Sequence, residues 1–315
     1  MSNSKNILYL ISLMLLMLTG CEADTSIAPF PNEGEEPVEV RLHATTVGVG
    51  VEVTRASGDT IPLPENMRKI GMLGGTYQNL SLTYYNDTSA LKRTDQGTIY
   101  YPLQTDTMHI YAYAPFNEKA YISDEDSVKV KSDWETSQDF DDYITDPIWA
   151  KTSVTKSNPT GTLTFKHVMS KLQIYLVSEE EGKTYTDISL MIDFDGSQYG
   201  KMSMETGEIT PAQTGGWTYE KSEITLTLYP KGNTNRPHDE FTILPATELK
   251  KITINFEDWD RRYVLEFTEE APFPAFVAGK VIPMYINLEK IEKEAFKVNA
   301  SLENFIFENE DEIYI

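Results

Sequence analysis

Apolar residues that return at every second position, in short runs closed off by turn residues, constrain this chain more than any other feature. Val38, Val40, Leu42 and Ala44 alternate with polar neighbours, and Val47, Val49, Val51 and Val53 do the same with Gly48 and Gly50 among them. Alternation of this kind turns one side of a segment to a core and the other to water, which is strand patterning. It predicts strands at Lys69–Leu73, Ser81–Tyr85, Met108–Ala114, Thr162–Phe165, Leu172–Val177, Ile188–Phe194, Ile224–Tyr229, Phe241–Leu244, Ile252–Phe256, Tyr263–Phe267, Pro283–Leu288 and Phe296–Leu302. No stretch of three or more turns keeps a 3.6 period, and the many Tyr, Phe, Val and Thr residues suit a pleated surface. Regularly spaced Gly, Pro and Asn between the runs argue for sandwiches. The expectation is an all-β chain whose two strand-rich halves meet at the turn-rich Ser157–Gly161.

The beginning of the chain reads differently. Lys5 precedes an apolar run from Ile7 to Leu18, broken by Ser12. A helix needs about 20 apolar residues to cross a bilayer, so this run reads as the core of a secretory signal. It stops at Leu18-Thr19-Gly20-Cys21, which resembles the bacterial lipobox. That resemblance implies a diacylglycerol on the Cys21 sulfur, cleavage before Cys21 and acylation of the new N-terminus. Cys21 is the only cysteine, which excludes a disulfide framework and a thiolate metal cluster. Residues 1–20 are then a lipoprotein signal peptide, and residues 21–37, acidic and rich in proline, a tether above the lipid. No later run is long enough to span a membrane as a helix. A net charge of −22 argues against nucleic acid as a partner, because phosphate backbones are held by clustered Lys and Arg.

Candidates for chemistry are few. The four histidines, His43, His109, His167 and His238, lack the spacing of a zinc site. Ser153 and Lys156 match S-x-x-K, but the companion S-D-N and K-T-G elements of penicillin-recognising enzymes are missing. Asp193-Phe194-Asp195-Gly196 carries its glycine in the wrong place for a calcium loop and reads as a strand running into a turn. The carboxylates beside Trp259 in Phe256–Arg262 fit a hairpin tip at least as well as a glycosidase pair. The expectation is no catalytic residue, no metal and no cofactor.

Several separated stretches together resemble the fimbrillin family, the subunits of type V pili of Bacteroidales-type bacteria. They are Val53-Thr54-Arg55-Ala56 with the following "KIGMLGG", then "IYAYAPF" (Ile110–Phe116), "DPIWA" (Asp146–Ala150), "FKHVMSKLQIYL" (Phe165–Leu176), "VAGKVIPMYINLEKI" (Val277–Ile291) and the extension Phe296–Ile315. Where many relatives carry Trp after the acidic residue of that extension, Asn304-Phe305 follows Glu303 here. The resemblance implies two tandem β-sandwich, transthyretin-like domains, at 38–160 and 161–295, with 296–315 as a C-terminal extension. It also implies a lipid-anchored precursor at the outer membrane, cut by an arginine-specific trypsin-like protease. Loss of a first strand, within 38–55, then opens a groove for a strand from another fimbrial subunit.

On that reading Arg55 and Ala56 flank the cut, and Phe296, Val298, Ala300 and Leu302 form the alternating donor strand. Arg41 is a competing cut site, and "ASGDT" after Arg55 reads as an exposed loop, where proteolysis concentrates. Three other readings stay open: an anchor or accessory subunit that keeps its lipid, a surface hydrolase, and a surface glycan-binding lipoprotein. The last would stack sugars on Trp134, Trp149, Trp217 or Trp259.

Overall fold

Strand after strand buries every second side chain, so the alternation in the sequence is matched by the geometry of the pleat. The computed structural model describes residues 36–46, 62–103, 105–132, 141–212, 215–231, 236–256, 262–270, 272–295, 306–309 and 312–314. The first strands are β1 (Arg41–Thr46), β2 (Lys69–Gly74), β3 (Tyr77–Tyr85), β4 (Ala90–Arg93), β5 (Met108–Ala114), β6 (Tyr121–Ile122), β7 (Ser127–Lys131), β8 (Ile144–Thr145), β9 (Ile148–Val154) and β10 (Thr160–His167). Then come β11 (Ser170–Val177), β12 (Lys183–Asp195), β13 (Tyr199–Ser203), β14 (Ile209–Pro211), β15 (Gly216–Leu228), β16 (Asp239–Ile243), β17 (Glu248–Asn255), β18 (Arg262–Glu266) and β19 (Val281–Asn287). A helix, α1 (Leu288–Ala295), and the short strands β20 (Ile306–Asn309) and β21 (Glu312–Tyr314) complete the described elements. The chain is nearly all β.

The N-terminal half differs from the sandwich expected there. Its strands run β1-β10-β9-β5-β2-β3-β4 and close into a barrel, because β1 pairs in parallel with β10 on one side and antiparallel with β4 on the other. Closure removes both sheet edges. Val40, Leu42, Ile70, Met72, Leu82, Ile110, Leu163 and Phe165 fill its interior. β10 belongs to this barrel, and the two larger core clusters draw on residues up to Phe165 and from Leu172 onward.

The second core lies against two sheets, β16-β11-β19-β21-β20 and β15-β12-β17-β18, whose inner faces supply Leu172, Ile174, Ile192, Phe194, Ile252, Ile254 and Met284. A third, smaller sheet, β14-β13-β7-β6 with β8 beside β7, joins β7 from before the barrel closes to β13 from well after it. Its core packs Val128 and Val130 of β7 with Trp149 of β9 and with Met202 and Met204. The two halves therefore share a core as well as a covalent link.

Candidate functional site

β1 is the first strand of the closed barrel, and its removal would reopen the barrel between β10 and β4. Its inner residues Leu42 and Ala44 are 2% and 0% exposed and Val40, just before the strand, 4%, whereas Arg41 between them points to water. Around them the backbone is paired on both sides: Arg41 N donates to Pro159 O at 2.9 Å and Ala44 N to Ser89 O at 2.9 Å. Just ahead of β1, Val40 N donates to Ile99 O at 2.8 Å and Tyr101 N to Val38 O at 2.9 Å. Sequence reasoning missed these partners, because carbonyls in loops carry no side-chain signal.

The loop that supplies Ile99 and Tyr101 is itself clamped. Arg93 Nε and Nη2 donate to the two Asp95 carboxylate oxygens at 2.9 and 2.5 Å, Gly97 N donates to Asp95 Oδ1 at 2.9 Å, and Tyr100 N donates to the Tyr77 hydroxyl at 2.9 Å. The Arg93 guanidinium, with help from the Gly97 amide, holds the Asp95 carboxyl down to about 2 from 3.8. A depressed carboxyl stabilises the fold above its ordinary value and loses that contribution as pH falls through the folded one. The clamp is therefore expected to act fully above about pH 4 and to let go near pH 2. Carbonyl NMR should place the Asp95 midpoint near 2 and, in Arg93→Gln, back toward 3.8; an unmoved midpoint would mean that Arg93 is not the cause.

At the other end of the chain, β21 lies beside β19 in parallel, with Met284 opposite Ile313 and Tyr285 opposite Tyr314, and β20 pairs with β21. The C-terminal hairpin thus covers the edge of the sheet that β19 would otherwise leave open.

Several expected residues lie outside the described ones: Cys21, Val47–Val53, Arg55, Ala56, Phe296, Val298, Ala300 and Leu302, together with Trp134 and Trp259. Of the other tryptophans, Trp149 is buried, and the half-buried Trp217 has one face stacked on Phe194 at 4.1 Å. The histidines do not converge. His109 Nδ1 lies 2.9 Å from Ser153 Oγ, His167 Nδ1 lies 2.7 Å from Asp146 Oδ1, and burial pushes His238 below its ordinary value. Ser153 is occupied with His109, away from any catalytic set, and Asp193 pairs with Lys251 at 2.6 Å as β12 ends at a turn through Gly196. Among the described residues no group of His, Cys, Asp and Glu could hold a metal, and no helix is long and apolar enough to cross a membrane.

Comparison with known proteins fits this geometry. A family described as fimbrillin-like matches residues 49–304. Among solved structures, a candidate cell adhesion protein from Bacteroides ovatus superposes with a TM-score of 0.52 at 12% identity, covering 81% of this chain and 94% of its own. Another from Bacteroides uniformis is 20% identical, covers 79% and 94%, and has a TM-score of 0.49. The fimbrial anchor protein Mfa2 from Porphyromonas gingivalis is 9% identical over 73% and 82%, with a TM-score of 0.36. The first of these shows a shared fold. Among curated proteins, none matches.

Proposed function

This chain belongs to the fimbrillin-like family, and from that premise we propose that it is a structural subunit of a surface fimbria that polymerises by strand exchange and supports adhesion. It is exported as a lipoprotein, anchored in the outer membrane through Cys21, and released into the fimbrium when an arginine-specific protease cuts between Arg55 and Ala56. The cut frees the segment that carries β1. Another subunit's Phe296–Leu302 then fills the vacated place, and no catalytic step by this chain is involved.

The observation that carries this reading is the position of β1. It is the first described strand, it ends nine residues before Arg55, and it closes the barrel between two strands that otherwise have free edges. Its loss would uncover the sites of Val40 and Leu42, each contributing about 1.5–3 kcal/mol when buried, and would unpair a row of backbone groups. An extended apolar strand restores both, which gives assembly its driving force. A cut at the competing Arg41 requires the protease to enter a strand bonded on both sides, which needs local unfolding first. Two tandem units, at 38–160 and 161–295, are the domain reading that we adopt for the subunit, with β10 at their junction pairing with β1 to close the first.

Intact mass and N-terminal sequencing of the surface protein, before and after limited trypsin digestion, test this directly. A mature chain that begins at Ala56 and forms ladders after the cut is expected. A chain that keeps acylated Cys21 and stays monomeric after cleavage would point instead to an anchor subunit or a glycan-binding lipoprotein.

A further inference from the structure

Acidic residues outnumber basic ones in this chain by 49 to 27, yet none lies in a described strand of the barrel. Those strands carry Arg41, Lys69, Lys92, Arg93, Lys151 and Lys166 and not one Asp or Glu. Their lysines also differ in how they are paired. Away from the barrel, Lys129, Lys171, Lys201, Lys221 and Lys251 each reach a carboxylate at 2.6 to 2.9 Å. Lys92, Lys151 and Lys166 are exposed, and among the described residues none of the three pairs with a carboxylate.

Two of these lysines converge. Lys166 of β10 lies opposite Trp149 of β9, and Lys151 follows Trp149 by two residues on the same face of β9. Their Nζ atoms stand 5.2 and 5.8 Å from the centroid of that one indole. A ring attracts a cation over its face, but two like charges gathered at one ring repel each other unless an anion lies with them. Leading up to the pair, β10 presents Thr160, Thr162 and Thr164 on its outer face, all exposed. Alternate strand residues are about 6.6 Å apart, so these hydroxyls form an evenly spaced row that ends at Lys166.

We propose that Lys151 and Lys166 form a binding site for an acidic sugar, whose carboxylate or sulfate group is held by the two ammonium groups and whose hydroxyls meet Thr164 and Thr162. The inference rests on the adhesion part of the reading above and gives that adhesion a ligand class. It does not depend on strand exchange, because β9 and β10 stay in the barrel whichever strand lies beside β10. A long polyanion fits less well, since the net charge of −22 opposes it over its whole length. One acid group at contact range is screened from remote carboxylates over a Debye length of about 8 Å. A single contact of this kind is weak, and a fibre with one site per subunit holds by many at once.

The test titrates the full chain with glucuronate, glucose sulfate, glucose and inorganic sulfate, read by the NMR signals of the Trp149 indole and the lysine ε-carbons. At least one of the two acidic sugars is expected to bind with a Kd near about 1 mM, and glucose about tenfold more weakly or worse. Lys151→Gln with Lys166→Gln should abolish the shifts at an unchanged melting midpoint, whereas Lys151→Arg with Lys166→Arg should keep the affinity within about threefold. Lys250→Gln, which removes an ammonium paired with Glu248, should leave binding unaltered. Inorganic sulfate held as tightly as the acidic sugars would reduce the pair to a general anion site and overturn the sugar. Dimers that form at low salt through Lys151 and Lys166, with no sugar bound, would give the wall to a second copy and overturn it too. Subunits that bind an acidic sugar yet never polymerise would sink strand exchange alone; fibres built of subunits blind to both acidic sugars would sink this inference alone.

Discussion

Leu42→Ala should lower the stability of the unprocessed chain by about 2–5 kcal/mol, the range for a leucine deleted from a packed core. Leu42 is 2% exposed, with Gly161 of β10 opposite it on one side and Leu91 of β4 on the other. The strands around it are held in the barrel by their own pairings, so the space it leaves collapses poorly and the cost sits high in that range. Arg41→Ala is the control, because its side chain is 70% exposed and its ion pair with Glu39, at 3.6 Å and itself largely exposed, contributes little. Urea melts of the two variants should differ by at least about 2 kcal/mol. Equal midpoints would mean that β1 does not form part of the barrel core. If strand exchange follows processing, the same Leu42→Ala change becomes silent in the polymer, since the strand that carries it has left.

Much of this architecture is legible in the alternation, and the parts that are not have physical reasons. Met108–Ala114 and Lys69–Leu73 lie where the period of two predicts strands, because one face of each meets the barrel interior and the other does not. β9 hides from the same reading. Ile148 and Ala150 face the barrel core while Trp149 between them faces the third sheet, so three consecutive residues are buried and the period disappears. β7 and β13 are short and lysine-bearing, and only the pairing between them reveals that Val128, Val130 and Met202 belong to one core. Barrel closure could not be read either. It depends on β1 lying parallel to a strand more than a hundred residues away, and local periodicity carries no information about such partners.

Trp149→Ala should cost about 3–5 kcal/mol and weaken both halves of the chain together. The indole is buried on β9, yet its Nε1 donates to Met204 O at 2.8 Å, on the turn between β13 and β14. That turn is shaped around the ring: Gly207 adopts a φ of +74°, and a Cβ there would stand 2.6 Å from Trp149 Cδ2. Gly207→Val is therefore expected to cost about 1–3 kcal/mol through the clash and a further 1–2 kcal/mol, roughly, through the left-handed backbone. Trp149→Phe keeps most of the ring but loses the hydrogen bond and should cost about 1 kcal/mol. The decisive comparison is the double variant. With the indole gone, the three atoms nearest to a Cβ at 207 are gone with it, so Trp149→Ala with Gly207→Val should fall short of the sum of the single costs by at least about 1 kcal/mol. Strict additivity in urea melts would show that the turn and the ring do not meet, and the shared core between the halves would then lose one of its contacts.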